Sequence, residues 1–382
     1  MQRLTVGRHR PLPLLSGTIA AVWLLGLASC DSGPASGLVD PPDGPPSNNV
    51  DIPAVDAQLV VPTYDGSGEA VHPDVVHFPS GWRGWEYWMA ITPYPRGKAD
   101  FENPSIVVSH DGVVWQVPRG LTNPIVSRPA AGDAYNSDPD LWYDPAHDRL
   151  LMAFRQVRGG MNLISTIASA DGVQWGEPRL QFRRPNHGMI SPTFVLTPSG
   201  GATVWYVDGG PNKCKNRTTR VLMQESTVAD PWSSGPAEVG WSPPRVADLR
   251  QPGYDIWHLD VIFNAAKQEY WAVYPAYRPE QCGADDLFFA RSADGIRWTS
   301  YAVPILEHDD YPWSRSTLYR ASTLYDAGRD VIRIYFSAAA PGPVWHLGFV
   351  EFGYSGLLAW LEHQGPRSAA ARWPPELARS EP

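Results

Sequence analysis

Ser109-His110-Asp111-Gly112-Val113-Val114-Trp115 is the first copy of a seven-residue pattern that this chain uses three times. The pattern returns as Ser169-Ala170-Asp171-Gly172-Val173-Gln174-Trp175 and as Ser292-Ala293-Asp294-Gly295-Ile296-Arg297-Trp298. Asp-Gly between two β-prone runs marks a tight hairpin turn, because Gly adopts the positive φ that such turns need. The Trp that follows offers a broad ring to pack on a neighbouring unit. The Trp-to-Trp steps are 60 and 123 residues, so the second is a double step and one unit has lost its signature.

Working outward, each unit opens alike. The openings are His72-Pro73-Asp74-Val75-Val76, Asp138-Pro139-Asp140-Leu141-Trp142, Ser191-Pro192-Thr193-Phe194-Val195, His258-Leu259-Asp260-Val261-Ile262 and Arg320-Ala321-Ser322-Thr323-Leu324. Aligned on Asp74, Asp140, Thr193, Asp260 and Ser322, their steps are 66, 53, 67 and 62 residues. A second and a third β-prone run follow each opening, and a fourth follows the Asp-Gly turn. Short strands at regular spacing, with no helical periodicity, predict an all-β fold. We read a five-bladed β-propeller of about four antiparallel strands per blade over residues 57–364. Its last blade is expected to be completed by Gln58-Leu59-Val60-Val61 or by Leu357-Leu358-Ala359-Trp360.

The N-terminus reads as an export signal over residues 1–29. Arg3, Arg8 and Arg10 precede an apolar run from Leu12 to Leu27 that is short for a permanent membrane span. The run closes on Leu27-Ala28-Ser29-Cys30, which resembles a bacterial lipobox. That resemblance implies lipidation of Cys30 by diacylglycerol and palmitate, and a protein anchored at the cell envelope. Residues 30–56 are rich in Pro, Gly, Ser and Asp and read as a tether. Residues 365–382 read as a loose tail.

The mature chain has 28 basic and 40 acidic side chains, a formal charge of −12. Such a surface repels phosphate backbones, so nucleic acid is not an expected partner. Cys214 and Cys282 follow the second strand of adjacent units, and in an exported chain they are expected to form a disulfide.

In a propeller, the first-strand starts and the loops between strands two and three open on one face. That face gathers His72, Asp74, Glu102, Asn103, Asp138, Asp140, Arg155, His187, His258, Asp260, Tyr277, Arg278 and Arg320. Carboxylates, imidazoles and guanidiniums among aromatic rings suit a polyhydroxylated ligand. The openings, the turns and Glu102-Asn103-Pro104-Ser105-Ile106 together resemble the five-bladed glycoside hydrolase superfamily of arabinanases, β-xylosidases, invertases and levansucrases. The resemblance implies catalysis by carboxylates from separate blades. Glu102 is the candidate acid and Asp74 the candidate base, with Asp138 or Asp140 orienting the sugar and Asp260 in reserve. Where many members carry an Asp directly before Pro in the first blade, this chain has His72.

Two function classes stay open: a glycan-processing enzyme, and a catalytically silent propeller that binds glycan or another surface partner. The same residues have structural readings. Asp74 and Asp140 can cap strand starts, Glu102 can pair with Arg155, and His72 and His258 can act as hydrogen-bonding rim residues. No cofactor and no metal ligand is assigned; an axial Ca²⁺ or other ion held by carboxylate and water stays open, with no loop motif to support it. A monomer is expected.

Overall fold

In the computed structural model the described residues are 58–364, apart from 131–133, 198–199, 211–218, 234–236 and 280–282. Cys30, Cys214 and Cys282 lie outside them, as do the signal, the tether and the tail. No helix among the described residues is long and apolar enough to cross a membrane.

Five small antiparallel sheets make five blades. Blade one contains β2 (Ala70–Trp82), β3 (Trp85–Pro93) and β4 (Ser105–Ser109). Blade two contains β5 (Tyr135–Asp144), β6 (Arg149–Arg158), β7 (Met161–Ser169) and β8 (Arg179–Pro185). Blade three contains β9 (Ile190–Leu196), β10 (Ala202–Asp208), β11 (Arg220–Glu225) and β12 (Arg245–Val246). Blade four contains β13 (Asp255–Ile256), β14 (Asp260–Asn264), β15 (Glu269–Tyr277), β16 (Asp286–Ser292) and β17 (Thr299–Ser300). Blade five contains β18 (Thr317–Asp326), β19 (Val331–Ala340) and β20 (Val344–Gly353), with β1 (Gln58–Leu59) as its outer strand.

Two details differ from the sequence reading. Blade one has three strands, and its expected fourth is reduced to a single bridge between Val108 and Gln116. Leu357 to Trp360 form no strand but belong to the helix α1 (Tyr354–Gln364). Leu357 and Leu361, four residues apart, fall on one helical face and are buried with Tyr354. Tyr354 stacks on Trp271 at 4.2 Å, and the Ser355 N–H donates to the Asp330 carboxylate at 3.1 Å. The edge left open by the helix is taken by Gln58–Leu59.

The repeated turn has the same wiring in all three copies. In the first, Ser109 Oγ donates to Asp111 Oδ1 at 2.9 Å and accepts from the Gly112 N–H at 2.9 Å. Asp111 Oδ1 also accepts the Val113 and Val114 N–H groups, both at 2.8 Å. Ser169/Asp171 and Ser292/Asp294 repeat this set. Each turn is also a blade-to-blade contact. A Cβ on Gly172 would collide with the Trp88 ring of blade one, and one on Gly295 with Trp205 of blade three. Trp205 Nε1 donates to the Gly295 carbonyl at 2.8 Å, and Tyr335 Oη to the Gly112 carbonyl at 3.0 Å. Glycine is therefore required twice over, for its positive φ and for the close approach.

The axis is closed by a ring of side chains reaching from each innermost strand to the next. Asp74 accepts the Leu141 N–H, and Asp140 accepts the Phe194 N–H at 2.9 Å. Thr193 Oγ1 accepts the Val261 N–H at 3.2 Å and Asp260 the Thr323 N–H at 2.8 Å. Ser322 Oγ accepts the Val75 N–H at 3.0 Å and completes the circuit. These five acceptors are the residues on which the unit openings align.

Arg320, fully buried, lies against the ring with Nη2 2.9 Å from Asp140 Oδ1. Burial raises the carboxyl pKa values of Asp74 and Asp140 above the usual range, and that of Asp260 to about 7, against the pull of Arg320. Below these carboxyls a cavity of about 340 Å³ is lined in part by His77, Tyr143, Leu196 and Phe263.

Two outcomes are expected. Arg320→Met should lower the unfolding free energy by about 3–5 kcal/mol near neutral pH, because it leaves buried carboxyls without their guanidinium. Urea titration should find a smaller loss as pH falls below about 7, where Asp260 takes up a proton. At the turns, backbone N–H groups of Arg297 and Ile296 hold the Asp294 pKa down to about 2, below its unfolded value near 3.9. Its contribution is present above about pH 4 and is lost as pH falls through 2. The difference in urea midpoint between wild type and Asp294→Asn should shrink over that window.

Candidate metal centre

Two residues before each ring residue stands a second layer: His72, Asp138, Ser191, His258 and Arg320. It exists because the innermost strands are bulged. The register slips between Val71 and Asp74 in β2, between Ser137 and Asp140 in β5, and between Leu318 and Ala321 in β18. A bulge re-aims side chains that strict alternation would send elsewhere. His72, Asp138 and Ser191 carry left-handed φ values of 55°, 48° and 48°. Non-glycine residues held there mark a constraint that the surrounding packing enforces.

His72, Asp138 and His258 converge. Each is at most 1% exposed, and each offers a ligand atom within 4.8 Å of the others. His72 Nε2 lies 3.0 Å from Asp138 Oδ1, yet neither atom makes a hydrogen bond. The reason lies at the other ring nitrogen. His72 Nδ1 is 2.9 Å from Thr92 Oγ1, whose own acceptor is the Val71 carbonyl at 3.5 Å. With its hydrogen on Nδ1, donated to Thr92 Oγ1, His72 turns the Nε2 lone pair toward a carboxylate. Two lone-pair atoms this close call for a cation between them. His258 Nδ1 is 3.6 Å from the same oxygen, and both its ring nitrogens lack a hydrogen-bond partner.

The protonation states suit metal ligation. Burial pushes the His72 pKa down and that of His258 well down, so both imidazoles are neutral. Burial opposes ionisation of Asp138, but the Arg155 guanidinium against it holds its pKa below the usual range. Arg155 Nε is 2.6 Å from Asp138 Oδ2 and 2.9 Å from Ser137 Oγ, which leaves Oδ1 to face the histidines. Neutral imidazoles with an ionised carboxylate are the ligand states a divalent ion requires, and this donor set suits zinc or another first-row divalent ion.

Glu102 is 5% exposed, with Oε1 3.9 Å from His72 Nδ1. Burial, reinforced by the Asp138 charge, raises its pKa well above the usual range, so it holds a proton. Aromatic rings frame the layer. Tyr319 meets His258 edge-on at 4.2 Å and His72 at 5.3 Å. Trp257 lies 6.2 Å from His258, and Trp345 lies 5.3 Å from Tyr94 and Tyr319.

The expected site residues thus divide. Glu102 and Asp138 remain together, joined by His72 and His258. Asp74, Asp140 and Asp260 do not join them. They form the closure ring, where backbone N–H groups and Arg320 occupy their oxygens, so Asp74 is corrected from candidate base to structural acceptor. Arg155 and Arg320 serve protein carboxylates rather than sugar. Asn103 is tied to Tyr64, Asp100 and Asn136, and Arg278 lies 5.4 Å over Tyr254. His187 packs near Trp257, and the Tyr277 hydroxyl is buried without a hydrogen-bond partner. The sequence reading assigned no metal ligand. This donor set comes from blades one, two and four, so no local spacing announces it. Tyr319, Thr92 and Trp257 were not singled out, although Tyr319 immediately precedes the blade-five opening.

The fold has counterparts among known proteins. The A type blood N-acetyl-α-D-galactosamine deacetylase of Flavonifractor plautii is 25% identical over 381 aligned residues. That alignment covers 87% of this chain, and the chain spans about half the length of this curated relative, 47%. A crystal structure of an N-acetylgalactosamine deacetylase from F. plautii with blood group B trisaccharide superposes with TM-score 0.71 at 23% identity. It covers 81% of this chain and 97% of that one. A xylan β-1,4-xylosidase from Bacillus halodurans C-125 superposes with TM-score 0.53 at 12% identity over 74% of this chain and 52% of that one.

The chain has the fold of the five-bladed β-propeller glycoside hydrolases. No family model matches it. Its relatives of this fold are glycan-processing enzymes.

A direct outcome is expected for the upper layer. Equilibrium dialysis against Zn²⁺ or Mn²⁺, followed by elemental analysis, should find one tightly held ion per chain. His258→Ala should abolish this binding, and Arg155→Leu should weaken it about 10–100-fold by freeing the orientation of Asp138.

Proposed function

We propose that this chain hydrolyses the N-acyl group of an acylated amino sugar within a glycan, assisted by a divalent ion held by His72, Asp138 and His258. The observation that carries this reading is the 3.0 Å approach of His72 Nε2 to Asp138 Oδ1 without a hydrogen bond, with unpartnered His258 nitrogens beside them. The deacetylase named above supports the substrate class. Glycoside hydrolysis requires two carboxyl groups facing each other across the sugar. Here His72 stands between Asp138 and Glu102, and the blade-three position of this layer is Ser191. That arrangement favours attack on an acyl carbon.

A divalent ion at such a site supplies Lewis acidity, polarising a carbonyl and making a nearby water more acidic. The residues do the rest. Arg155 and Thr92 fix the faces that Asp138 and His72 present. Beside a bound cation, Glu102 would have a lowered pKa and release its proton, and the ionised Glu102 would then take the proton of the attacking water and pass it to the departing nitrogen. The water oxygen bonds to the acyl carbon, the C–N bond breaks, and the products are a carboxylate and a free amino sugar. The half-buried Trp257, on the rim beside His258, offers a stacking face for a sugar ring. The N-terminal reading complements this. We propose that the protein is exported and held at the cell envelope through lipid on Cys30.

The test incubates the purified chain with a panel of N-acetylated oligosaccharides and measures acetate, with released sugars measured in parallel. Acetate release that stops with chelator, returns with Zn²⁺ or Mn²⁺, and falls at least about 100-fold in His258→Ala is expected. Release of monosaccharide without acetate would replace this reading with glycoside hydrolysis. Glycan binding with neither product would replace it with a silent binding propeller.

A further inference from the structure

Hydrolysis of an amide passes through a tetrahedral intermediate whose oxygen gains negative charge, and a fixed neutral hydrogen-bond donor aimed at it accelerates the step. Most donors in the upper layer are already committed. Arg155 is held by Asp138 and Ser137; Arg320 gives only Nη2 to Asp140, its Nε and Nη1 having no hydrogen-bond partner, but its side chain is fully buried. Thr92 is engaged with His72, and Ser191 Oγ donates to the Leu259 carbonyl at 3.0 Å. Tyr319 is different. Its hydroxyl makes no hydrogen bond to any described residue, and the residue is largely but not fully buried.

Its placement follows from the blade-five bulge. Leu318 pairs with Ala338 and Ala321 with Phe336, so Tyr319 and Arg320 together face Ser337. In blades one and two the bulged pairs are His72-Pro73 and Asp138-Pro139. In blade five the bulge comes one residue earlier and delivers Tyr319 as well as Arg320 to the axis. The Tyr319 ring touches both imidazoles, at 4.2 Å from His258 and 5.3 Å from His72. The charged and polar groups acting on its hydroxyl are Asp138, Glu102, Tyr94 and Arg155, so its O–H end lies on the acid side of the site. Tyr94 shares Glu102 as a neighbour but has no ring contact with either histidine.

We propose that Tyr319 is a catalytic residue of the deacylation: its phenol donates a hydrogen bond to the acyl oxygen as that oxygen becomes an oxyanion. The inference rests on the reading of the site as an N-acyl hydrolase. No proton is transferred. Tyr319 keeps its hydrogen while the water-derived proton travels through Glu102 to the nitrogen.

The experiment compares wild type, Tyr319→Phe and Tyr94→Phe on an N-acetylated oligosaccharide that wild type deacetylates, with Zn²⁺ affinity measured on each. Phe keeps the ring contacts and removes only the hydroxyl. Tyr319→Phe should lower kcat about 100–1,000-fold with KM changed less than about threefold and Zn²⁺ affinity unchanged. It should lower affinity for a tetrahedral phosphonamidate analogue by a similar factor. Tyr94→Phe should stay within about threefold of wild type. An unchanged kcat in Tyr319→Phe, a loss that tracks weaker Zn²⁺ binding, or a larger loss in Tyr94→Phe overturns the role of Tyr319 while leaving the site reading intact. A wild-type chain that releases no acetate from any substrate overturns the site reading, and this inference with it.

Discussion

The ring of side chains at the axis is the interaction on which the rest of this molecule depends. Asp74, Asp140, Thr193, Asp260 and Ser322 each accept a backbone N–H from the next innermost strand. Innermost strands of neighbouring blades do not pair with one another, so their inward N–H groups would otherwise be buried without partners. A short oxygen-bearing side chain at one fixed position per blade solves this five times. It also sets the rotation of each sheet about the axis, since a single bond at a fixed strand position orients the whole blade.

Three of the five acceptors are aspartates, and this places several carboxyl groups in a region of low dielectric. Arg320 and retained protons offset them. Asp138, only two residues from Asp140, stays ionised because the Arg155 guanidinium lies against it. The same residue type therefore has opposite protonation in adjacent layers, decided by the cation each layer holds. This separation confines the reactive chemistry to one face.

The bulges link closure to function. Without them, positions 72 and 74, or 138 and 140, would simply lie on the same face of a strand. With them, the two layers stack, and the upper one gathers His72, Asp138 and His258 around a common point. The left-handed φ at His72 and Asp138 is the local strain of that arrangement, and the ring beneath holds it in place.

The sequence by itself determined the number of blades, the strand order and the axial register. Three Ser-x-Asp-Gly-x-x-Trp turns and five openings carry that information locally, because turn chemistry and strand alternation act between near neighbours in the chain. It also brought most of the polar residues to one face. What it could not decide was which acids work and which close the fold. Asp138 and Asp140 stand two residues apart in one opening, and only the bulge and the neighbouring blade tell the candidate ligand from the structural acceptor. Tyr319 was hidden because its bulge is offset by one residue, and Leu357 to Trp360 read as strand until Tyr354 and Leu361 gave them a helical face to bury. The metal donor set, drawn from blades one, two and four, belongs to tertiary structure alone, since its atoms meet only when the ring is closed.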